Sequence, residues 1–112
     1  MKNTYRQLLK KESPILYKNY MKVVEEQFEL FAKKQLDYGI GNISTGADME
    51  SKEGKSFALQ GLWFRMNDKF NRWKNLIIKN RKANNESLKD TFQDLGNYSI
   101  ICQLVNRSLW KE

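Results

Sequence analysis

Two sets of charged residues lie close together in the chain and carry the most chemistry. Glu86, Asp90 and Asp94 follow one another at i, i+4 and i+8. On a helix turning about 100° per residue they fall within an arc of roughly 80°, and Asn97 falls inside it. Same-sign pairs at this spacing destabilise a helix by about 0.2–0.5 kcal/mol each. The helix dipole offsets this for Glu86 near the helix start, but not for Asp94 two turns further on. The remaining residues of this segment, Leu88, Phe92, Leu95, Tyr98, Ile100, Ile101 and Leu104, are largely apolar, so the seam is expected to be partly buried. Carboxylates packed away from water need a cation or a proton. Oxygen ligands without imidazole or thiolate favour Mg²⁺ or Mn²⁺ over zinc. The alternative is a solvent-facing stripe paired with Lys or Arg.

The second set precedes the first. Arg65, Asp68, Lys69 and Arg72 sit at i, i+3, i+4 and i+7 and share a helix face. Either Arg65 and Arg72 pair with Glu86, Asp90 or Asp94 across two antiparallel helices as a structural ion-pair network, or the cations of this face hold phosphates while the acids hold a metal that bridges them. The planar fork of Arg suits the phosphate role because it donates two bonds at once. From Gly54 to Lys82 there are eight basic residues and one acid, so this stretch carries +7, equal to the whole chain. Such a field draws phosphates, nucleotides, nucleic acid or acidic lipid, or serves as a solvated face.

The 112 residues must position these groups with a modest core. That length fits one domain, 1–112. There is no His, which excludes Ser-His-Asp and Cys-His catalysis, and the one Cys cannot form an internal disulfide or a zinc cage. No apolar run reaches the roughly 18 residues of a membrane span, and the first residues lack the apolar region of a secretory signal. A cytoplasmic protein is expected, with no membrane partner.

Hydrophobic spacing predicts an all-α fold: a small bundle of three main helices with a short N-terminal helix, completed by oligomerisation. The short helix is expected over 3–11. Ser13-Pro14 then starts a helix to about Leu36, whose apolar face holds Tyr20, Met21, Val24, Phe28, Phe31 and Ala32. A Gly-rich loop is expected at about 37–56, long enough to be functional or mobile. The next helix is expected over Ala58–Lys82, with Leu59, Leu62, Trp63, Met66, Phe70, Trp73 and Ile77 on its apolar face. Asn84-Asn85 breaks the pattern, and the last helix is expected from Glu86 to about Ser108.

Other features are weaker. Glu26 and Glu29 have metal-pair spacing but lie opposite the apolar face. GKS at 54–56 lacks the rest of a P-loop. Cys102 sits among apolar residues and reads as a small core residue. Trp63, Phe64, Phe70 and Trp73 interleave with basic residues, which suits nucleic acid or, more commonly, a core.

Three blocks taken in order, LFAKKQLDYGIGNIS, FRMNDKFNRWKNL and NESLKDTFQDLGNYSII, resemble the phage and bacterial nucleotide modification associated domain 1 family over about residues 25–105. That family in turn is similar to the MazG-like all-α nucleoside triphosphate pyrophosphohydrolases. The resemblance implies a nucleotide-binding protein of nucleotide metabolism, with Mg²⁺ as cofactor if it is a hydrolase releasing a nucleoside monophosphate and pyrophosphate. It implies Glu86, Asp90 and Asp94 as metal-side, catalytic acids. It implies Arg65, Lys69 and Arg72 as phosphate-side cations, joined by Lys33 or Lys34, and places Asp68 and Tyr98 among the motif residues. Asp37 and Tyr38 would shape the loop end of the pocket. The relatives' E-x-x-E plus E-x-x-D pattern is absent, which leaves open a non-catalytic phage protein that binds or sequesters a nucleotide. A basic nucleic-acid-binding accessory protein is the third reading. Small amphipathic helices in so short a chain point to a homodimer or tetramer.

Overall fold

A computed structural model describes residues 4–79 and 87–112. It contains four α-helices and, among the described residues, no strand: α1 (Thr4–Glu12), α2 (Pro14–Tyr38), α3 (Lys52–Ile78) and α4 (Leu88–Asn106). A short 3₁₀ turn, Ile40–Asn42, follows α2. This is the expected set of three main helices and a short first one.

The boundaries differ from expectation in instructive places. The chain turns at Ser13, whose side chain makes no cap bond; Pro14 simply opens α2. Arg6 then reaches back from α1 to donate to the sulfur of Met21 at 3.3 Å. Helix α2 ends at Gly39, which has φ +79°, a region that L side chains rarely adopt. Its N–H donates to the carbonyl of Gln35 at 2.8 Å, and Gln35 Nε2 donates back to the Gly39 carbonyl at 2.7 Å.

The expected loop is shorter than 37–56 because α3 begins at Lys52, not Ala58. Ser51 is the reason. Its Oγ accepts from the N–H of Gly54 at 2.9 Å and donates to the carbonyl of Asp48 at 2.7 Å, so one hydroxyl caps the helix and ties down the loop. Gly54 is buried against that same Asp48 carbonyl, with no space for a Cβ. The Gly-Lys-Ser run is thus a helix start: Lys55 Nζ donates to Ser108 Oγ at 2.9 Å, pinning the end of the chain.

Helix α4 is capped by Ser87, whose Oγ accepts from the N–H of Asp90 at 3.2 Å. Asn84, Asn85 and Glu86 lie outside the described residues.

Helix α4 packs along α3 and, more lightly, against α2; α2 and α3 do not meet along their backbones. The core lies where α3, α4 and the two loop ends converge, in Ile43, Ala58, Leu62, Ile101, Val105 and Trp110. Beyond α4 the chain returns, and Trp110 Nε1 donates to the carbonyl of Ile40 at 2.9 Å. The Trp110 ring also meets Phe31 edge-on, 6.2 Å between centroids. Cys102 is partly buried against this core, as expected, and burial pushes its thiol pKa up.

Of the expected apolar face of α2, Phe31 packs against the core, while Tyr20, Val24 and Phe28 lie open. No residue of α1 or α2 is buried, and Tyr20, Val24 and Phe28 are 66%, 41% and 66% exposed. On α3 only Gly54, Ala58 and Leu62 are buried, while Trp63, Phe70 and Ile77 stay at least half exposed.

Candidate functional site

Four successive contact positions on α2, Phe31, Lys34, Gln35 and Tyr38, follow i, i+3, i+4 and i+7 and form one wall of a cleft. Asp94, Asn97, Tyr98 and Ile101 of α4 form its floor at the same kind of spacing. Arg65 of α3 and Asn42 of the 3₁₀ turn complete the lining. The volume is about 420 Å³, within the range of small-molecule sites.

Asp94 is the electrostatic centre. Its Oδ1 lies 3.1 Å from Lys34 Nζ on α2, and its Oδ2 lies 2.9 Å from Lys69 Nζ on α3. Burial pushes the carboxyl pKa up, but the hydrogen bonds and charges of Lys69 and Lys34 outweigh that, and the net direction is down. The acid is therefore ionised at neutral pH and holds both walls. An acid of α4 does meet a cation of α3, but the pair is Lys69 with Asp94, where Arg65 and Arg72 were the expected partners. Arg72 reaches α4 differently: its Nη1 donates to the buried Thr91 Oγ1 at 2.6 Å and to the Ser87 carbonyl at 3.4 Å. Arg65 lines the cleft and is exposed, which leaves its guanidinium accessible to a ligand.

Asp90 borders a smaller adjoining hollow of about 280 Å³ together with Leu30, Lys34, Gln93 and Asp94. The acid seam on α4 is thus continuous from Asp90 to Asp94; Glu86 lies outside the described residues. Among the described residues, no group of three or more Asp, Glu or Cys side chains could hold a metal ion. Both oxygens of Asp94 are also engaged by ammonium groups. The described residues alone do not make a metal-binding set, and no chemical step is routed through one below.

Of the remaining expected residues, Tyr38 and Tyr98 line the cleft. Lys33, Asp37 and Asp68 are exposed and do not line it. Lys33 and Lys34 are neighbours in sequence but about 100° apart on the helix, and only Lys34 shares the face of Phe31 and Tyr38. Glu26 and Glu29 are exposed, as their position opposite the apolar face implied. Sequence reasoning missed Phe31, Gln35 and Asn42 as lining residues. The first two were detectable from the same i, i+3, i+4, i+7 register.

Residues 54–105 match the family model for nucleotide modification associated domain 1. The matched span contains nearly all of α4 and most of α3, and with them Arg65, Lys69, Arg72, Thr91, Asp94 and Tyr98. The α2 wall of the cleft lies before it. The family description links this span to nucleotide modification. No curated protein and no solved structure gives a significant match to the chain.

Proposed function

We propose that the cleft binds a nucleotide or nucleoside phosphate. One observation carries the reading: exposed Arg65 and half-exposed Lys34 share a cavity with the aromatic rings of Phe31, Tyr38 and Tyr98. Arg and Lys supply donors and charge for phosphate, and an aromatic supplies a face for a base. The family description of residues 54–105 supports the same ligand class. A phosphate entering beside Lys34 competes with Asp94 for its ammonium group. Lys69 stays on Asp94 and keeps the acid neutralised while Lys34 turns to the ligand.

Mg²⁺-dependent hydrolysis of a (deoxy)nucleoside triphosphate to monophosphate and pyrophosphate is the enzymatic form of this proposal, by similarity to the MazG-like enzymes. It would recruit Asp90, Asp94 and Glu86. The non-catalytic form, binding or sequestration of a nucleotide, is favoured by the engagement of both Asp94 oxygens with lysines. The two forms separate in one experiment. The protein is titrated with each common ribo- and deoxyribonucleotide, with and without Mg²⁺, by calorimetry, and the mixtures are analysed for pyrophosphate and monophosphate. Binding with intact ligand supports the non-catalytic form, and turnover supports the enzyme. No heat with any nucleotide at millimolar concentration refutes both. Binding to nucleic acid that weakens steeply with salt, without affinity for free nucleotides, would favour the accessory-protein reading based on the basic segment.

A further inference from the structure

The cleft carries an acceptor that no group of the protein satisfies. Among the described residues, one buried side-chain polar atom has no hydrogen-bond partner: Asn42 Oδ1. Asn42 is part of the cleft lining. Buried polar atoms are nearly always paired, because an unmet acceptor forfeits its bonds to water and gains none in return. An exception in the wall of a cavity points to the chemistry the cavity receives.

The neighbouring amides are already committed. Gln35 Nε2 donates to the Gly39 carbonyl at 2.7 Å, and Asn97 Nδ2 donates to the Gln27 carbonyl at 3.4 Å. The turn that carries Asn42 is fixed on both sides. Trp110 Nε1 donates to the Ile40 carbonyl at 2.9 Å, the Asn42 N–H donates to the Gly39 carbonyl at 3.3 Å, and Ile43 and Ser44 are buried. The main chain is thus held while Oδ1 is tied to nothing. Asn42 as a whole is only partly buried, so rotation about its own side-chain bonds brings the amide to the cavity and breaks no bond at Oδ1. A fixed backbone under an uncommitted polar group suits a residue that recognises a ligand.

The acceptor also decides which part of a ligand it can meet. Ionised phosphate oxygens only accept, so they belong with Lys34 and Arg65 and cannot satisfy an amide oxygen. Asp94, the charged acceptor of the cleft, is already engaged by two lysines. A nucleoside carries the donors that phosphate lacks, N–H groups on the base and hydroxyls on the sugar. We infer that Asn42 is a specificity-determining residue of the cleft, accepting a hydrogen bond from the nucleoside part of the ligand. This rests on the nucleotide reading and adds an orientation to it: phosphate toward the cations, nucleoside toward the 3₁₀ turn.

Calorimetry of the whole chain with AMP, GMP, CMP, UMP, their 2′-deoxy forms and inorganic pyrophosphate tests it, with Asn42→Ala beside wild type. The nucleotide that wild type binds best loses at least tenfold in affinity, and pyrophosphate less than twofold. Equal loss for the ribo and deoxy forms places the donor on the base or the 3′-hydroxyl; loss confined to the ribo form places it on the 2′-hydroxyl. Asn42→Leu, close in shape but without the acceptor, shows the same loss of affinity and melts no lower than wild type, which a merely structural amide would not allow; it is read alone should Asn42→Ala fail to fold. Unchanged nucleotide affinity overturns the inference and leaves the nucleotide reading standing. Equal losses for nucleotide and pyrophosphate, or a lowered melting temperature in Asn42→Leu, overturn it as well. A wild-type chain that binds no nucleotide refutes the reading itself and the inference with it.

Discussion

Lys69 Nζ lies 2.9 Å from Asp94 Oδ2, joining α3 to α4 at the floor of the cleft. Lys34 completes the arrangement from α2, so one carboxylate ties together three helices. Asp94→Asn removes the charge but keeps the shape, leaving two ammonium groups beside a neutral amide. It is expected to cost about 1–3 kcal/mol, the usual worth of hydrogen bonds to a charged group. Urea unfolding compared with wild type measures it. A change below a few tenths would show that the lysines simply rotate into water.

The same acid sets a pH dependence. Its folded pKa lies below the ordinary value of 3.8. A depressed carboxylate pKa contributes stability that is complete above the unfolded value and is lost as pH falls through the folded one. The stability difference between wild type and Asp94→Asn is therefore constant from neutral pH down to about 4 and shrinks below it. Thermal midpoints at pH 7, 5, 4 and 3 follow the convergence.

Arg72 and Thr91 make a second link between α3 and α4, and the Thr91 side chain is fully buried. Thr91→Val keeps the volume and removes the hydroxyl that accepts from Arg72. A loss of about 1–3 kcal/mol is expected from stranding a charged donor. Arg65→Ala should show the opposite profile: stability within about 0.5 kcal/mol of wild type, as for an exposed position, and nucleotide affinity at least tenfold weaker. Together the pair distinguishes the framework from the ligand-facing cation.

Gly54 tests the start of α3. An added methyl would overlap the Asp48 carbonyl, which the Ser51 cap holds in place. Gly54→Ala, favourable in an open helix by about 1 kcal/mol, is expected here to destabilise by about 2 kcal/mol or more. Gly61→Ala, where nothing lies within 4 Å, is the control and should stabilise. Denaturation midpoints of the two variants should move in opposite directions.

Much of this framework was legible in the order of the residues. The helices follow from apolar spacing, and the convergence of cations with acids follows from Lys69 and Asp94 each lying on a defined helix face. Other features were not. Gly54 argues against a helix by propensity, yet it sits inside one because a neighbouring backbone comes too close for any other residue. Thr91 is polar and fully buried, and the bond it accepts from Arg72 is a tertiary contact that spacing does not reveal. Lys34 and Lys33 have the same chemistry, and one helical step decides which enters the cleft. The apolar stripe of α2 was visible, but periodicity says only that a face wants covering and is silent on whether its own chain covers it.

Helices α2 and α3, the two walls of the cleft, are joined through α4 and the connecting loop and never touch along their backbones. The gap therefore behaves like the jaws of a clamp whose spacing is set by a spindle. Trimming a core residue on the far side of that spindle, such as Val105, would alter the spread of the jaws without changing any atom that a ligand meets. If the cleft binds as proposed, its ligand preference is exposed to substitutions that a survey of pocket-lining residues would pass over.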